Sequence, residues 1–306
     1  MQKNQPLIFG PINSRRFGRS LGVDLSPNGK QCNFDCLYCE LIKSKTMSKQ
    51  IVSINVKEYI EAIKETLSRH NNIDVITLTA NGEPTMYPYL NELIDEINKI
   101  KRNEKLLILS NSSLINNPNV VSALMKIDIV KLSLDCATKE CFKKLDKIDK
   151  SINSDNIIDG IIKFSKIFPN ELVLEVLFVK NINDKDDEIS KMYELIKQIN
   201  PTRVDIGTID RPPAYDVKPV TKEFLIETAN KMTGINITIA HKNNIKQNEP
   251  YTNIEILNLL SKRPLTVDDI ENLFDENSKQ NLKILVQENK IKEINLAGVV
   301  FYKTII

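Results

Sequence analysis

Along most of this chain, short β-branched apolar runs alternate with longer stretches whose apolar residues recur every three or four positions. "IDVITLTA" (73–80) has the continuous apolar character of a buried parallel strand. "YLNELIDEINKIK" (89–101) places Leu90, Leu93, Ile94 and Ile97 on one face of a helix. The same rhythm predicts strands at 105–110, 128–135, 172–179 and 203–209. It predicts helices at 56–69, 118–126, 138–147, 154–168 and 186–199. "SLGVDLSP" (20–27) is a plausible first strand. Strand followed by helix, about six times over, implies a parallel sheet with right-handed crossovers. The sheet is either open and doubly wound or a full or partial barrel. In each case an active site belongs at the carboxyl ends of the strands.

From about residue 210 the rhythm breaks. "DRPPAYDVKPV" (210–220) reads as an ordered, Pro-rich arm, followed by a helix (221–232) and a short strand (235–240). "HKNNIKQNEPY" (241–251) is polar and reads as a linker. Beyond it, "NIEILNLLSK", "TVDDIENLF" and "SKQNLKILVQENKI" are three helices. The second carries Thr266 as N-cap with Asp269 at the capping-box position, and the third is capped by Ser278. "KEINLAGVVFYKTI" reads as a hairpin around Ala297-Gly298. Three helices and a hairpin make a winged-helix pattern. The expected division is a core at 1–245 and a small winged-helix-like domain at 250–306.

The net charge of +2 over 306 residues is no nucleic-acid fingerprint. The distribution is less even: residues 1–50 carry eight Lys and Arg against three Asp and Glu. The start of the chain lacks a signal-peptide core, and "LVLEVLFV" (172–179) is far too short to cross a bilayer. A cytoplasmic protein without membrane association is expected. There, clustered cysteines bind metal or act in catalysis more often than they form disulfides.

Three of the five cysteines fall in "QCNFDCLYCE", spaced C-x3-C-x2-C. Cys32, Cys36 and Cys39 are soft thiolate ligands. A structural zinc site would want four ligands, and neither His70 nor His241 is near in sequence. Three close ligands leave one coordination position open, as at a metal that does chemistry. Against this stands a zinc knuckle or a cysteine cluster without function. Cys136 and Cys141, five apart at a helix start, read as ordinary free thiols that are buried or partly exposed.

This spacing, with the aromatic Tyr38 before the last cysteine, resembles the radical S-adenosylmethionine (radical SAM) enzymes. The resemblance implies a [4Fe-4S] cluster on Cys32, Cys36 and Cys39 whose open iron chelates S-adenosylmethionine. One electron then cleaves the sulfonium to methionine and a 5′-deoxyadenosyl radical, which abstracts hydrogen from a substrate. "TANGEPTMYP" matches the family's glycine–glutamate motif. There Gly82 lets backbone approach the ligand and Glu83 neutralises the methionine ammonium. "LILSNSSLI" ends a strand in Ser110 and Asn111, at the family's place for polar groups that reach the ribose or carboxylate. "VKLSLDCATKECFKKLDK" would point Ser133 and Asp135 to the open face. Each of these also reads as an ordinary turn or cap.

"FGPINSRRFGRSLGVDLSP" and "RPPA" (211–214) resemble one branch of the superfamily, loosely grouped with the wybutosine-pathway enzymes that modify transfer RNA. The likeness spans roughly residues 7–240. With it, the α/β pattern leads to a partial (βα)6 TIM-like barrel with a small C-terminal winged-helix domain. Arg15, Arg16 and Arg19 either face the active-site mouth as phosphate or carboxylate binders, or form ion pairs that close the barrel's N-terminal edge. Arg211 on its stiff double-proline loop raises the same choice. The implied partners are S-adenosylmethionine, an electron donor such as flavodoxin or ferredoxin, and an RNA or peptide substrate. The rival reading is a non-enzymatic iron–sulfur redox sensor with a DNA-binding winged helix. It leaves the glycine–glutamate motif and the arginine run without a task.

Overall fold

A computed structural model describes residues 6–14, 16–239, 250–262, 264–296 and 299–305. Arg15, His241, most of the expected linker and the Ala297-Gly298 turn lie outside the described residues.

Strands β1 (Ile8–Ser14), β2 (Gly18–Asp24), β3 (Val75–Thr79), β4 (Lys105–Ser110), β5 (Ile129–Ser133), β6 (Glu171–Phe178), β7 (Arg203–Thr208) and β8 (Ile237–Ile239) form one sheet in sequence order. β1 pairs antiparallel with β2, and every later pairing is parallel. Helices α1 (Val56–Arg69), α2 (Leu90–Ile100), α3 (Pro118–Leu124), α4 (Lys139–Cys141), α5 (Ser154–Ser165), α6 (Asp186–Ile199) and α7 (Lys222–Lys231) connect them. Six strand–helix units, β2 to α7, give the partial TIM-like barrel. β1, absent from the sequence reading, adds an edge strand before it.

The strands alternate with period two. Ile76, Leu78, Leu106, Ile108, Val130, Leu132, Leu174 and Val204 pack outward in the main core. α2 answers with Leu90, Leu93, Ile94 and Ile97, all buried. Each is worth roughly 1.5–3 kcal/mol of burial. The opposite parity faces inward, where Val75, Leu107, Ile129 and Val173 form a separate small cluster with Phe17.

Above that plug lies a buried ionic layer. Arg16 Nε is 3.2 Å from Asp205 and its Nη1 is 3.2 Å from Glu175. Lys131 Nζ reaches Glu175 at 2.5 Å and Asp205 at 3.2 Å. Arg203 Nε donates to Asp205 at 2.8 Å. Arg16 therefore lies inside the barrel rather than at its mouth. Arg19 is the second residue of β2, where its N–H donates to Asp74 at 2.7 Å, at the end opposite the cysteines.

The remaining residues form α8 (Asn253–Lys262), α9 (Val267–Leu273) and α10 (Glu276–Gln287), with strands β9 (Leu265–Thr266), β10 (Ile291–Leu296) and β11 (Val299–Thr304) in a three-stranded antiparallel sheet. The Thr266–Asp269 capping box is present. The cap of α10 is Asp275, not Ser278: its carboxylate accepts from the Ser278 N–H, and Ser278 Oγ accepts from the Tyr251 N–H. This unit has its own core around Leu259, Phe274 and Leu285. It leans on β1 through Ile12 and through Tyr251, whose hydroxyl donates to the Pro11 carbonyl at 2.7 Å.

Candidate active site at the carboxyl ends of the strands

β2 ends at Asp24, and the loop that follows carries Cys32, Cys36 and Cys39, all partly exposed free thiols. Neighbouring backbone fixes that loop on every side. The Gln31 N–H donates to the Asn81 carbonyl at 2.8 Å, and the Glu83 N–H donates to the Gln31 carbonyl at 3.0 Å. Gly82 sits between them at φ +143°, and a Cβ there would come within 1.8 Å of the Gln31 oxygen. The glycine is thus required by the cysteine loop's own backbone, a reason the sequence reading missed.

Glu83 is buried and held by four donors. Oε1 accepts from Thr85 N–H (2.9 Å), Thr85 Oγ1 (2.6 Å) and Ser110 Oγ (2.8 Å), and Oε2 accepts from Asn111 N–H (2.7 Å). Burial raises its pKa, and these donors pull the other way. Oε2 keeps acceptor capacity for a cation. The Asn111 amide reaches Asn33 Oδ1 at 2.9 Å and Cys32 Sγ at 3.7 Å. The structure therefore draws Cys32, Gly82, Glu83, Ser110 and Asn111 into one constellation.

Tyr38 and Asp135 meet each other instead of an open face. The Tyr38 hydroxyl donates to Asp135 Oδ2 at 2.5 Å, and the Leu177 N–H donates to Oδ1 at 2.7 Å. Burial lifts the Asp135 carboxyl to about 7. Asp146, in a five-residue π-turn over Phe142–Asp146, lies against Cys36 and is raised by burial and then by Asp135. No sequence signal pointed to Asp146.

The Pro-rich arm closes on the same loop. The Ala214 N–H donates to the Cys39 carbonyl at 2.8 Å, and Arg211 Nη1 pairs with Glu40 at 3.0 Å. The Tyr215 hydroxyl donates to Asp35, which also takes Lys30 at 2.9 Å and Lys147 at 3.2 Å. Burial would raise the Asp35 pKa, but Tyr215, Lys30 and Lys147 outweigh it and hold the carboxyl at about 2.

A chamber of about 520 Å³ opens beneath the loop. Its floor includes Arg16, Lys131 and Glu175, its walls Thr77 and Leu109, and its rim Glu40, Arg211 and Lys262. Lys262 comes from α8 and pairs with Asp24 at 2.7 Å, both side chains almost wholly buried. Asp24 Oδ1 accepts the Ser26 and Asn81 N–H groups, both at 2.9 Å. The C-terminal unit thereby contributes to the rim, which periodicity alone does not reveal.

The three thiols suit a metal better than free nucleophilic chemistry. Burial, and next the charge of Glu83, push Cys32 up to about 12. Burial and Asp146 likewise raise Cys36. Such thiols are poor nucleophiles on their own, whereas a bound metal deprotonates its ligands. The Phe34 N–H at 3.4 Å and the Asn111 amide are placed to support a charged Cys32 sulfur.

Cys136 and Cys141 form a disulfide, against the expectation that they stay free. The Thr138 cap turns the chain so that their Cα atoms stand 5.4 Å apart, within bridging reach. Glu188 completes a set of ligand-type atoms with them. Its carboxylate is already occupied by Ala137 N–H, Thr138 N–H and Thr138 Oγ1.

The chain belongs to the radical SAM superfamily, whose model matches residues 29–196. Within it, the chain is 40% identical to a UPF0026 protein of Helicobacter pylori over 98% of both chains. It is also similar to the S-adenosyl-L-methionine-dependent tRNA 4-demethylwyosine synthase of Oryza sativa, 28% identical over 53% of this chain and 21% of that protein. Among solved structures, Streptococcus suis SuiB bound to S-adenosylmethionine superposes with a TM-score of 0.56 at 14% identity, over 75% of this chain and 53% of SuiB. At that identity the likeness is one of fold. Among the described residues, no helix is long and apolar enough to cross a membrane.

Proposed function

We propose that the chain is a radical SAM enzyme in which Cys32, Cys36 and Cys39 hold a [4Fe-4S] cluster and Glu83 receives the methionine ammonium of S-adenosylmethionine. When bound, the pair supplies one-electron cleavage of the sulfonium and a 5′-deoxyadenosyl radical for hydrogen abstraction. The observation that carries the reading is the convergence of the cysteine loop, Gly82-Glu83 and Ser110-Asn111 above a chamber at the carboxyl ends of parallel strands. Gly82 sets the distance between the loop and the Glu83 turn. Ser110 and Asn111 orient the Glu83 carboxylate. Tyr38 and Asp135 brace the loop from behind, and Arg211 and Lys262 shape the rim.

The substrate classes are RNA and peptide. A chamber of about 520 Å³ admits one nucleotide or one side chain of either, presented at the rim. The similarity to a tRNA-modifying enzyme supports RNA as the first to try. The C-terminal unit, read as winged-helix-like, would present that substrate. The test is spectroscopic. Reconstituted, reduced protein should give an electron-paramagnetic signal of a [4Fe-4S] cluster that changes shape on adding S-adenosylmethionine. Glu83→Ala should keep the signal and lose the change. A wild-type signal indifferent to S-adenosylmethionine would sink the reading.

A further inference from the structure

The outer face of the cysteine loop carries charge that the reaction chemistry does not use. Two segments cover that face. The Met47 N–H donates to the Cys32 carbonyl at 2.9 Å, and the Asp149 N–H donates to the Asn33 carbonyl at 2.9 Å. Thr46 Oγ1 ties the two segments together through Asp149 at 2.6 Å. Neither segment lines the chamber.

The segments present Lys43, Lys45, Lys49, Lys143, Lys144 and Lys150, all exposed. None of the six has an ion pair among the described residues. Lys43 and Lys147 bracket the Tyr215 ring, 4.3 and 4.1 Å from its centroid, so the Pro-rich arm joins the same face. Asp35 is spent on Lys30, Lys147 and Tyr215, and Asp149 on Thr46 and Ser151, with the Lys150 charge beside it as a lesser influence. In sequence Glu140 and Asp146 flank Lys143 and Lys144, and Asp146 is buried against Cys36.

We propose that this face is the docking surface for an acidic one-electron carrier protein. The inference rests on the cluster reading above. A carrier must come close to the thiolate loop yet leave the chamber and its rim to the substrate, and this face meets both demands. Here the backbone of Cys32 and Asn33 lies one hydrogen bond behind the lysine-bearing segments. The docked carrier gives up one electron, which passes through the loop to the group held by the thiolates. No bond is made or broken in that step. Unpaired surface lysines steer an acidic partner over a long range, and the attraction weakens with salt.

The test uses cluster-loaded protein and reduced flavodoxin as the probe. Binding of flavodoxin, and of transfer RNA for comparison, is measured by interferometry at low and high salt for wild type, K45E/K150E and, on helix α1 outside this face, K57E/K64E. Flavodoxin should bind wild type and K57E/K64E alike, and K45E/K150E roughly tenfold more weakly at low salt, the difference closing at high salt. Dithionite, which needs no docking, should reduce the cluster equally in all three. Failure of dithionite to yield a reducible cluster in wild type would count against the cluster reading and leave the binding result to stand by itself. The proposal is overturned if wild type binds no flavodoxin at low salt. It is equally overturned if both double variants bind it equally, or if K45E/K150E loses transfer RNA while keeping flavodoxin.

Discussion

Two loops leave the same edge of the barrel with cysteines in them, and they do opposite things. After β2, three thiols stay unpaired because backbone bonds to Asn81, Met47, Leu145 and Ala214 hold the chain open around them. After β5, Thr138 folds the chain tightly and two thiols close on each other, sealed against Glu188. Residue type is the same in both. Spacing and the backbone ties around the loop decide whether a cysteine presents sulfur to a ligand or spends it on its neighbour.

The largest expected effect separates the two loops outright. Cys36→Ala should abolish iron binding, read by iron and sulfide analysis. C136S/C141S should keep full iron content and lose about 2 kcal/mol of stability. Iron lost from C136S/C141S, or kept in Cys36→Ala, would erase the contrast.

Gly82→Ala comes next, because its Cβ would collide with the backbone of Gln31. A loss of roughly 4 kcal/mol and of most iron is expected, measured by chemical denaturation and metal analysis. Lys262→Met leaves Asp24 buried and unpaired at the rim. It should cost about 3–5 kcal/mol in thermal and denaturant unfolding, whereas a surface pair such as Lys57 with Glu61 contributes little. Glu83→Ala strands the donors of Thr85, Ser110 and Asn111. It should cost about 1–3 kcal/mol of stability. Its S-adenosylmethionine affinity should fall roughly tenfold by calorimetry, with iron unchanged.

The smallest effect is a pH dependence. Asp35 is held at about 2, below its ordinary 3.8, so the unfolded chain binds its proton first as pH falls. The stability it contributes is complete above about pH 4 and drains away between 4 and 2. Tyr215→Phe should narrow that window from the low-pH side, seen as a shallower acid-unfolding curve.

Much of this was legible in the sequence. The repeated strand–helix alternation marked out the parallel α/β sheet, the family resemblance favoured a partial barrel over an open sheet, and α1, α6, α8 and β4 fall where periodicity put them. The C-x3-C-x2-C spacing and Gly82-Glu83 were visible because they are local. β1 was missed because "IFGPINS" carries Gly and Pro and half-buried positions, not an apolar run. Asp24, Asp146 and Lys262 were missed because their meaning lies in contacts made across the fold. Cys136 and Cys141 were misread because a five-residue spacing does not reveal the turn that joins them. Arg16 could not be assigned from sequence between mouth and barrel, since only the positions of Glu175 and Asp205 decide it.

The most direct test of the central claim is product analysis on anaerobically reconstituted protein. With dithionite and S-adenosylmethionine, the account predicts 5′-deoxyadenosine from wild type, detected by chromatography with mass detection, and none from Cys36→Ala. Wild type that carries an intact cluster yet forms no 5′-deoxyadenosine would contradict it.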